Sequence, residues 1–244
     1  MVAASALIGV LGGMEPLATV DFLHKIVEET PAATDQEHVP VVCWNVPQIP
    51  DRQHALAGRG PSPLPAMLQG IVRLAAAGAT RIVVPCNTAH CWFDELQAAS
   101  PVPLIHIVDA SLAALLVGED DERVGLIASR GTLESGLYQR RLDSAGIPWL
   151  ANSDAEIEEL FVPGCYAVKR NALHEGALLL ARAAERLVER GANRLILACT
   201  EVPLALRRID SPLLGISIDT NQALAGACVD YWLAASRHAA RQVA

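Results

Sequence analysis

Lysine is nearly missing from this chain. Only Lys25 and Lys169 occur among 244 residues, against seventeen arginines. A pyridoxal-phosphate enzyme needs a lysine for its Schiff base. Lys25 falls in an expected amphipathic helix, so Lys169 alone could serve, which argues against that cofactor. Long hydrophobic runs are also absent. No apolar stretch reaches 18 residues, so no membrane span is expected. The apolar start, Met1 to Met14, has no basic segment before it and reads as a buried first strand, not a signal peptide. The six cysteines include no CxxC pair and are too sparse for a disulfide framework, so a cytoplasmic chain with reduced thiols is expected. Net charge is −8, which disfavours nucleic acid or another polyanion as partner. No cluster has zinc-ligand spacing, so no metal is expected.

What is present is apolar and periodic. Hydrophobic residues make up 52% and charged residues 19%, which excludes disorder. The length lies between one large domain and two small ones. Short apolar runs alternate with helical patterns, the signature of an α/β protein with mainly parallel strands. Strands are expected at Ala6–Leu11, Val39–Val46, Arg81–Pro85 and Leu104–Val108. Helices are expected at Leu17–Glu29, entered through Pro16, and at Ala66–Ala77, stopped by Gly78. Ile49–Pro65 is rich in Pro, Gly and Arg and reads as a long mobile loop.

The pattern then restarts. Ile8-Gly9-Val10-Leu11 has a counterpart in Val124-Gly125-Leu126-Ile127, 116 residues on. Gly78-Ala79-Thr80-Arg81-Ile82-Val83-Val84-Pro85-Cys86 matches Gly191-Ala192-Asn193-Arg194-Leu195-Ile196-Leu197-Ala198-Cys199 at an offset of 113. Two matches at nearly one offset indicate a duplication. The expected fold is two pseudo-symmetric three-layer α/β/α domains with mainly parallel sheets and an active site in the cleft between them. The first would comprise residues 1–109 plus about 213–244 and carry Cys86. The second would comprise 110–212 and carry Cys199. A C-terminal helix, about Asn221–Ala235, would pack back on the first half.

The duplication puts a cysteine at the C-terminal end of an equivalent strand in each half, where open α/β sheets bind ligands. Either cysteine alone reads as a small buried hydrophobe. As a facing pair they suit a racemase. One thiolate would remove a proton from carbon, and the other thiol would return one to the opposite face. Asn87, Thr88 and Thr200, with backbone N–H groups at the strand-to-helix turns, suit a carboxylate and the enolate-like charge that develops on it. His90 and Glu201 could set thiol protonation; His90 could equally cap the turn or sit in the core.

These residues carry a family resemblance. Gly12-Gly13-Met14, Pro16-Leu17-Ala18-Thr19, Ile49-Pro50-Asp51-Arg52 and Cys86-Asn87-Thr88-Ala89-His90 form its first part. Arg130-Gly131-Thr132-Leu133, Tyr138-Gln139 and Cys199-Thr200-Glu201 form the second. The chain resembles the pyridoxal-phosphate-independent aspartate/glutamate racemases of the Asp/Glu/hydantoin racemase superfamily over nearly its whole length. The resemblance implies no cofactor, a small amino-acid substrate with aspartate favoured, and a homodimer. It implies Cys199 acting on the L face and Cys86 on the D face. It implies substrate contacts from Met14, Arg52, Thr132 and Lys169, beside Asn87, Thr88 and Thr200. Glutamate, broad-specificity and hydantoin racemisation or maleate isomerisation remain open within the superfamily. An amino-acid-binding protein or a thiol redox protein remains open outside it.

One residue departs from the pattern. Glu15 stands where aspartate racemases usually carry glycine. Facing the site, it would repel a dicarboxylate by about 1–4 kcal/mol at 4 Å. Turned to its own helix, it would stabilise the N-terminus by about 0.3–1 kcal/mol.

Overall fold

The computed structural model describes residues 6–115 and 122–243; Met1–Ser5, the start of the expected first strand, and residues 116–121 lie outside this range. Strand β1 (Ile8–Gly12) is buried along its length, as a strand covered by helices on both faces must be. Helix α1 (Pro16–Glu29) follows, then β2 (Val41–Asn45), α2 (Arg52–Leu56) and α3 (Leu64–Ala76). The half continues with β3 (Arg81–Val83), α4 (Phe93–Ala99), β4 (Leu104–Ile105) and α5 (Ile107–Leu115). All pairings are parallel, in the order β2-β1-β3-β4.

The second half repeats this. It runs through β5 (Val124–Ala128), α6 (Arg130–Glu134), α7 (Gln139–Ser144) and β6 (Trp149–Ala151). A single turn, α8 (Asp154–Glu156), passes through a π-helical stretch, Ile157–Phe161, into α9 (Val162–Lys169). Then come α10 (Leu173–Glu189), β7 (Arg194–Ala198), α11 (Glu201–Arg208), β8 (Ser217–Asp219) and α12 (Thr220–Val243). The second sheet is parallel, in the order β6-β5-β7-β8. The chain thus forms two four-stranded α/β sheets of one topology.

The repeated Gly-Ala pair has a physical cause. Gly78 and Gly191 end their helices at φ +94° and +95°, where a Cβ is strained. The alanine after each packs onto a strand glycine. A Cβ on Gly9 would lie 2.8 Å from Ala79 Cβ, and one on Gly125 3.0 Å from Ala192 Cβ. Helix and strand can approach that closely only with glycine there.

One hydrophobic cluster joins the halves, with Val10 and Phe22 beside Leu126, Tyr138, Ile196 and Leu224. Helix α12 packs on α1 and α5, so the C-terminus returns to the first half. Ser217–Asp219, just before α12, forms the edge of the second sheet.

Two elements differ from expectation. The Ile49–Pro65 segment is not all loop: Asp51 caps α2 by accepting the His54 N–H at 2.9 Å. The Leu104–Val108 strand stops at Ile105, and Ile107 and Val108 are buried on α5 instead. A short apolar run does not distinguish a strand from a buried helix by periodicity.

Lys25 is buried in an ion network. Its Nζ reaches Asp21 Oδ2 at 2.6 Å and Asp219 Oδ2 at 2.5 Å. Arg207 closes the group, 2.6 Å from Asp21 and 2.9 Å from Asp219. The network ties α1 to α11 and to the start of α12.

Candidate active site

A cleft of about 200 Å³ lies between the two halves at the C-terminal ends of their strands. That is below the ~300–1,000 Å³ that accommodates drug-sized ligands and suits a small metabolite. Cys86 and Cys199 both line it, with Met14, Arg52, Asn87, Thr88, Lys169, Thr200 and Glu201. Thr132 and His90 do not.

Cys86 follows β3 through Val84 and Pro85, and Thr88–Trp92 then winds as a 3₁₀ turn. Cys199 follows β7 at the entrance to α11, where its carbonyl accepts the Val202 N–H at 3.0 Å. Each thiol therefore sits where a parallel strand hands over to a helical turn. Their surroundings differ. Cys199 Sγ donates to Glu201 Oε2 at 3.0 Å and lies 3.8 Å from Cys165 Sγ, which also lines the cleft. The Cys165 contact, burial and the Glu201 carboxylate together push the Cys199 thiol well above its usual range.

Lys169 Nζ lies 3.7 Å from Glu201 Oε1. Burial works against its charge, but Glu201, Cys199 and Asp51 outweigh burial and hold the ammonium above its usual range. Arg52 donates from one guanidinium nitrogen to the carbonyls of Ile49 (3.4 Å) and Pro50 (3.0 Å). Its Nε is buried without a hydrogen-bond partner. Arg52 is half-buried, and an unused guanidinium N–H matches the geometry of a carboxylate.

Glu15 adopts the capping geometry. It is 9% exposed, accepts the N–H groups of Ala18 (3.0 Å) and Leu17 (3.4 Å), and does not line the cleft. Burial and the nearby Glu201 still raise its carboxyl, against those N–H groups and Lys169.

Thr132 is fully buried behind the cleft. It shares 3.0 Å hydrogen bonds with Thr88 and Ser129, so it orients Thr88 and offers no surface to a ligand. The sequence reading missed Gln53, which completes this cluster. Its Nε2 donates to Thr88 (3.0 Å) and Ser129 (2.7 Å), and its Oε1 accepts the Gly131 N–H at 3.0 Å. Helix α2 is thereby fastened to the second half through Gln53, one residue after Arg52. Gln53, Ser129 and Cys165 all line the cleft. The capping position of Ser129 before Arg130 was the only local signal among them.

His90 belongs to the scaffold. Its Nδ1 meets the Cys86 carbonyl at 2.9 Å, and its Nε2 accepts the Ile107 N–H at 3.2 Å. Those partners require the neutral ring with its proton on Nδ1. Burial, then the neighbouring His106, holds His90 down at about 3. Burial, then Arg141, holds His106 at about 3 as well. Unfolded imidazoles titrate near 6.5. Between those values the unfolded chain binds more protons, so this stability is complete above about pH 6.5 and is lost as pH falls toward 3. At pH 5 the loss is roughly 2 kcal/mol for each imidazole. Urea unfolding is expected to show a lower midpoint at pH 5 than at pH 7. Equal midpoints would mean that these rings are not held neutral.

Among the described residues no group of three or more His, Cys, Asp or Glu side chains is arranged to hold a metal ion, and no helix is long and apolar enough to cross a membrane.

Comparison with known proteins agrees with this architecture. The profile of the Asp/Glu/Hydantoin racemase family matches residues 11–228. The chain is 25% identical over 238 residues to the broad specificity amino-acid racemase RacX of Bacillus subtilis, covering 93% of this chain and 99% of that one. It is 29% identical over 163 residues to glutamate racemase of Aquifex aeolicus, covering 63% of this chain and 59% of that one. Aspartate racemase of Picrophilus torridus superposes with a TM-score of 0.81 at 30% identity, covering 93% of this chain and 94% of that one. Glutamate racemase of Francisella tularensis shares the fold, with a TM-score of 0.68 at 18% identity over 96% of this chain and 83% of that one. The chain belongs to the Asp/Glu/hydantoin racemase family and is an Asp/Glu-type racemase, an isomerase.

Proposed function

We propose that the protein interconverts L- and D-aspartate by proton transfer at Cα between two thiols, without a cofactor. One observation carries this reading: two thiols from equivalent strand ends share one small cleft whose lining includes Arg52 and Lys169. In the L-to-D direction Cys199, having passed its proton to Glu201, removes the Cα proton. Cys86 then delivers its own proton to the other face. The assignment of faces rests on the family resemblance. Negative charge moves onto the α-carboxylate as the Cα–H bond breaks. In this reading the turn at Asn87 and Thr88 meets it, together with the Thr200 hydroxyl turned from Glu201, and donors fixed in advance cost little reorganisation. Arg52 and Lys169 take the two carboxylates of the substrate. The support for aspartate is the presence of Arg52 and Lys169 in the cleft and the similarity to the Picrophilus aspartate racemase.

A second reading is favoured by a specific contact. Lys169 is already answered by Glu201 at 3.7 Å, with Asp51 and Glu15 within electrostatic reach. A site so neutralised would also suit a neutral or basic amino acid, and RacX is a broad-specificity enzyme by name. The test is incubation with L-aspartate in D₂O without added cofactor. Formation of D-aspartate carrying deuterium at Cα is the expected result. No exchange with aspartate, but exchange with neutral or basic amino acids, would establish the second reading. A homodimer in the cytoplasm is part of the proposal, and light scattering of the purified protein tests the dimer.

A further inference from the structure

Asn87 follows one cleft thiol, and its side chain is held by residues that no motif singles out. Its Oδ1 accepts the Tyr138 hydroxyl. Its Nδ2 donates to Thr220 Oγ1 at 3.0 Å, across 133 residues of sequence. Thr220 in turn donates to the carbonyl of Leu197 at 3.1 Å. Leu197 lies on β7, two residues before Cys199. Tyr138 and Thr220 are fully buried, and Asn87 is 2% exposed.

The directions of these bonds are determined. The Thr220 proton is used on a carbonyl, which can only accept, so its oxygen must accept from Asn87. The Asn87 amide is therefore oriented with nitrogen toward Thr220 and oxygen toward Tyr138. One hydrogen of Nδ2 is spent on Thr220. The other is left over, on a residue that lines the cleft. The chain Asn87–Thr220–Leu197 also runs from the turn carrying Cys86 to the strand carrying Cys199.

We infer that Thr220 is a positioning residue for the racemase reaction: its hydroxyl holds the Asn87 amide toward the cleft and ties the Cys86 turn to the Cys199 strand. Thr220 itself does not line the cleft. The inference rests on the two-thiol reading above. A base and an acid acting on opposite faces of one carbon must keep their spacing, and a misplacement of about 1 Å costs on the order of 10²-fold in rate.

The experiment compares Thr220→Val, which keeps the shape and loses the hydroxyl, with Thr220→Ser, which keeps the hydroxyl and loses the methyl. Racemisation is measured in both directions alongside the thermal midpoint. Thr220→Val is expected to lose about 10²-fold in kcat, with KM within about threefold, because positioning acts on the transition state. Thr220→Ser is expected to restore most of the rate. A packing role predicts the reverse order. A valine variant as fast as wild type, or a serine variant as slow as valine, would overturn the inference. If Thr220→Val does not fold, Tyr138→Phe releases the other end of the same amide and is read in the same way. A wild-type protein that racemises no amino acid would defeat the two-thiol reading instead. The inference is then decided by the Asn87 side-chain amide signal in NMR. It should be slow to exchange in wild type and Thr220→Ser and fast in Thr220→Val; equal exchange in all three overturns it.

Discussion

Replacing Cys86 or Cys199 with alanine is expected to lower racemisation by about 10²–10⁴-fold, the usual contribution of a positioned acid or base. The loss must be equal in the two directions when expressed as kcat/KM. Enantiomers have the same free energy in water, so their equilibrium constant is one and a variant cannot favour either direction. What the variants can separate is exchange from inversion. Cys86→Ala retains Cys199 with Glu201 at 3.0 Å, so a proton can still leave and return on one face. Slow deuterium uptake without inversion is expected from L-aspartate in Cys86→Ala and from D-aspartate in Cys199→Ala. NMR of the Cα proton, with chiral chromatography of the product, reads both quantities. Racemisation within tenfold of wild type in either variant would sink the two-thiol mechanism. Exchange from the opposite enantiomers would keep the mechanism and reverse the faces.

The surroundings of the two thiols differ, since Cys199 Sγ meets Glu201 and Cys165. Cys199 is pushed up by Cys165, burial and Glu201. The proposed mechanism needs one thiol deprotonated and the other protonated when substrate binds.

Much of this was legible in the sequence, because its causes are local. The repeat at Gly78-Ala79 and Gly191-Ala192 records two helix ends and two close packings onto Gly9 and Gly125, all set by backbone geometry. The placement of Cys86 and Cys199 follows from that repeat. What was illegible depends on contacts between distant residues. Gln53 reaches Thr88 and Gly131 across 35 and 78 positions, and Cys165 reaches Cys199 across 34. Nothing near these residues marks them. Thr132 and His90 sit within motif strings, yet they lie one layer behind the cleft. A string marks a neighbourhood, and folding decides which of its side chains face inward. The short helix α2 escaped notice because its proline- and glycine-rich surroundings outweighed one capping aspartate.

The largest effect on stability is expected at Lys25. Its ammonium is 2% exposed and is shared by Asp21 and Asp219 at 2.6 and 2.5 Å. Lys25→Met keeps the aliphatic stem and removes the charge. It leaves two buried carboxylates facing Arg207, whose side chain is 40% exposed and bonded to both already. Removing one partner of a buried ion group costs about 3–5 kcal/mol, and here it leaves each carboxylate with only the partly exposed Arg207 as ionic partner. For a chain of this size each kcal/mol lowers Tm by about 2–4 °C, so a fall of roughly 6–20 °C is expected. Adding Asp21→Leu to Lys25→Met removes one stranded carboxylate and should recover part of the loss. Asp219 should stay, since its Oδ1 also accepts the N–H groups of Asn221 and Gln222 at the start of α12. A Tm within about 2 °C of wild type in Lys25→Met would show that water or Arg207 already satisfies these carboxylates. The network joins α1, whose first turn follows Met14, to α11, whose first residue is Glu201. Both of those residues line the cleft, one from each half.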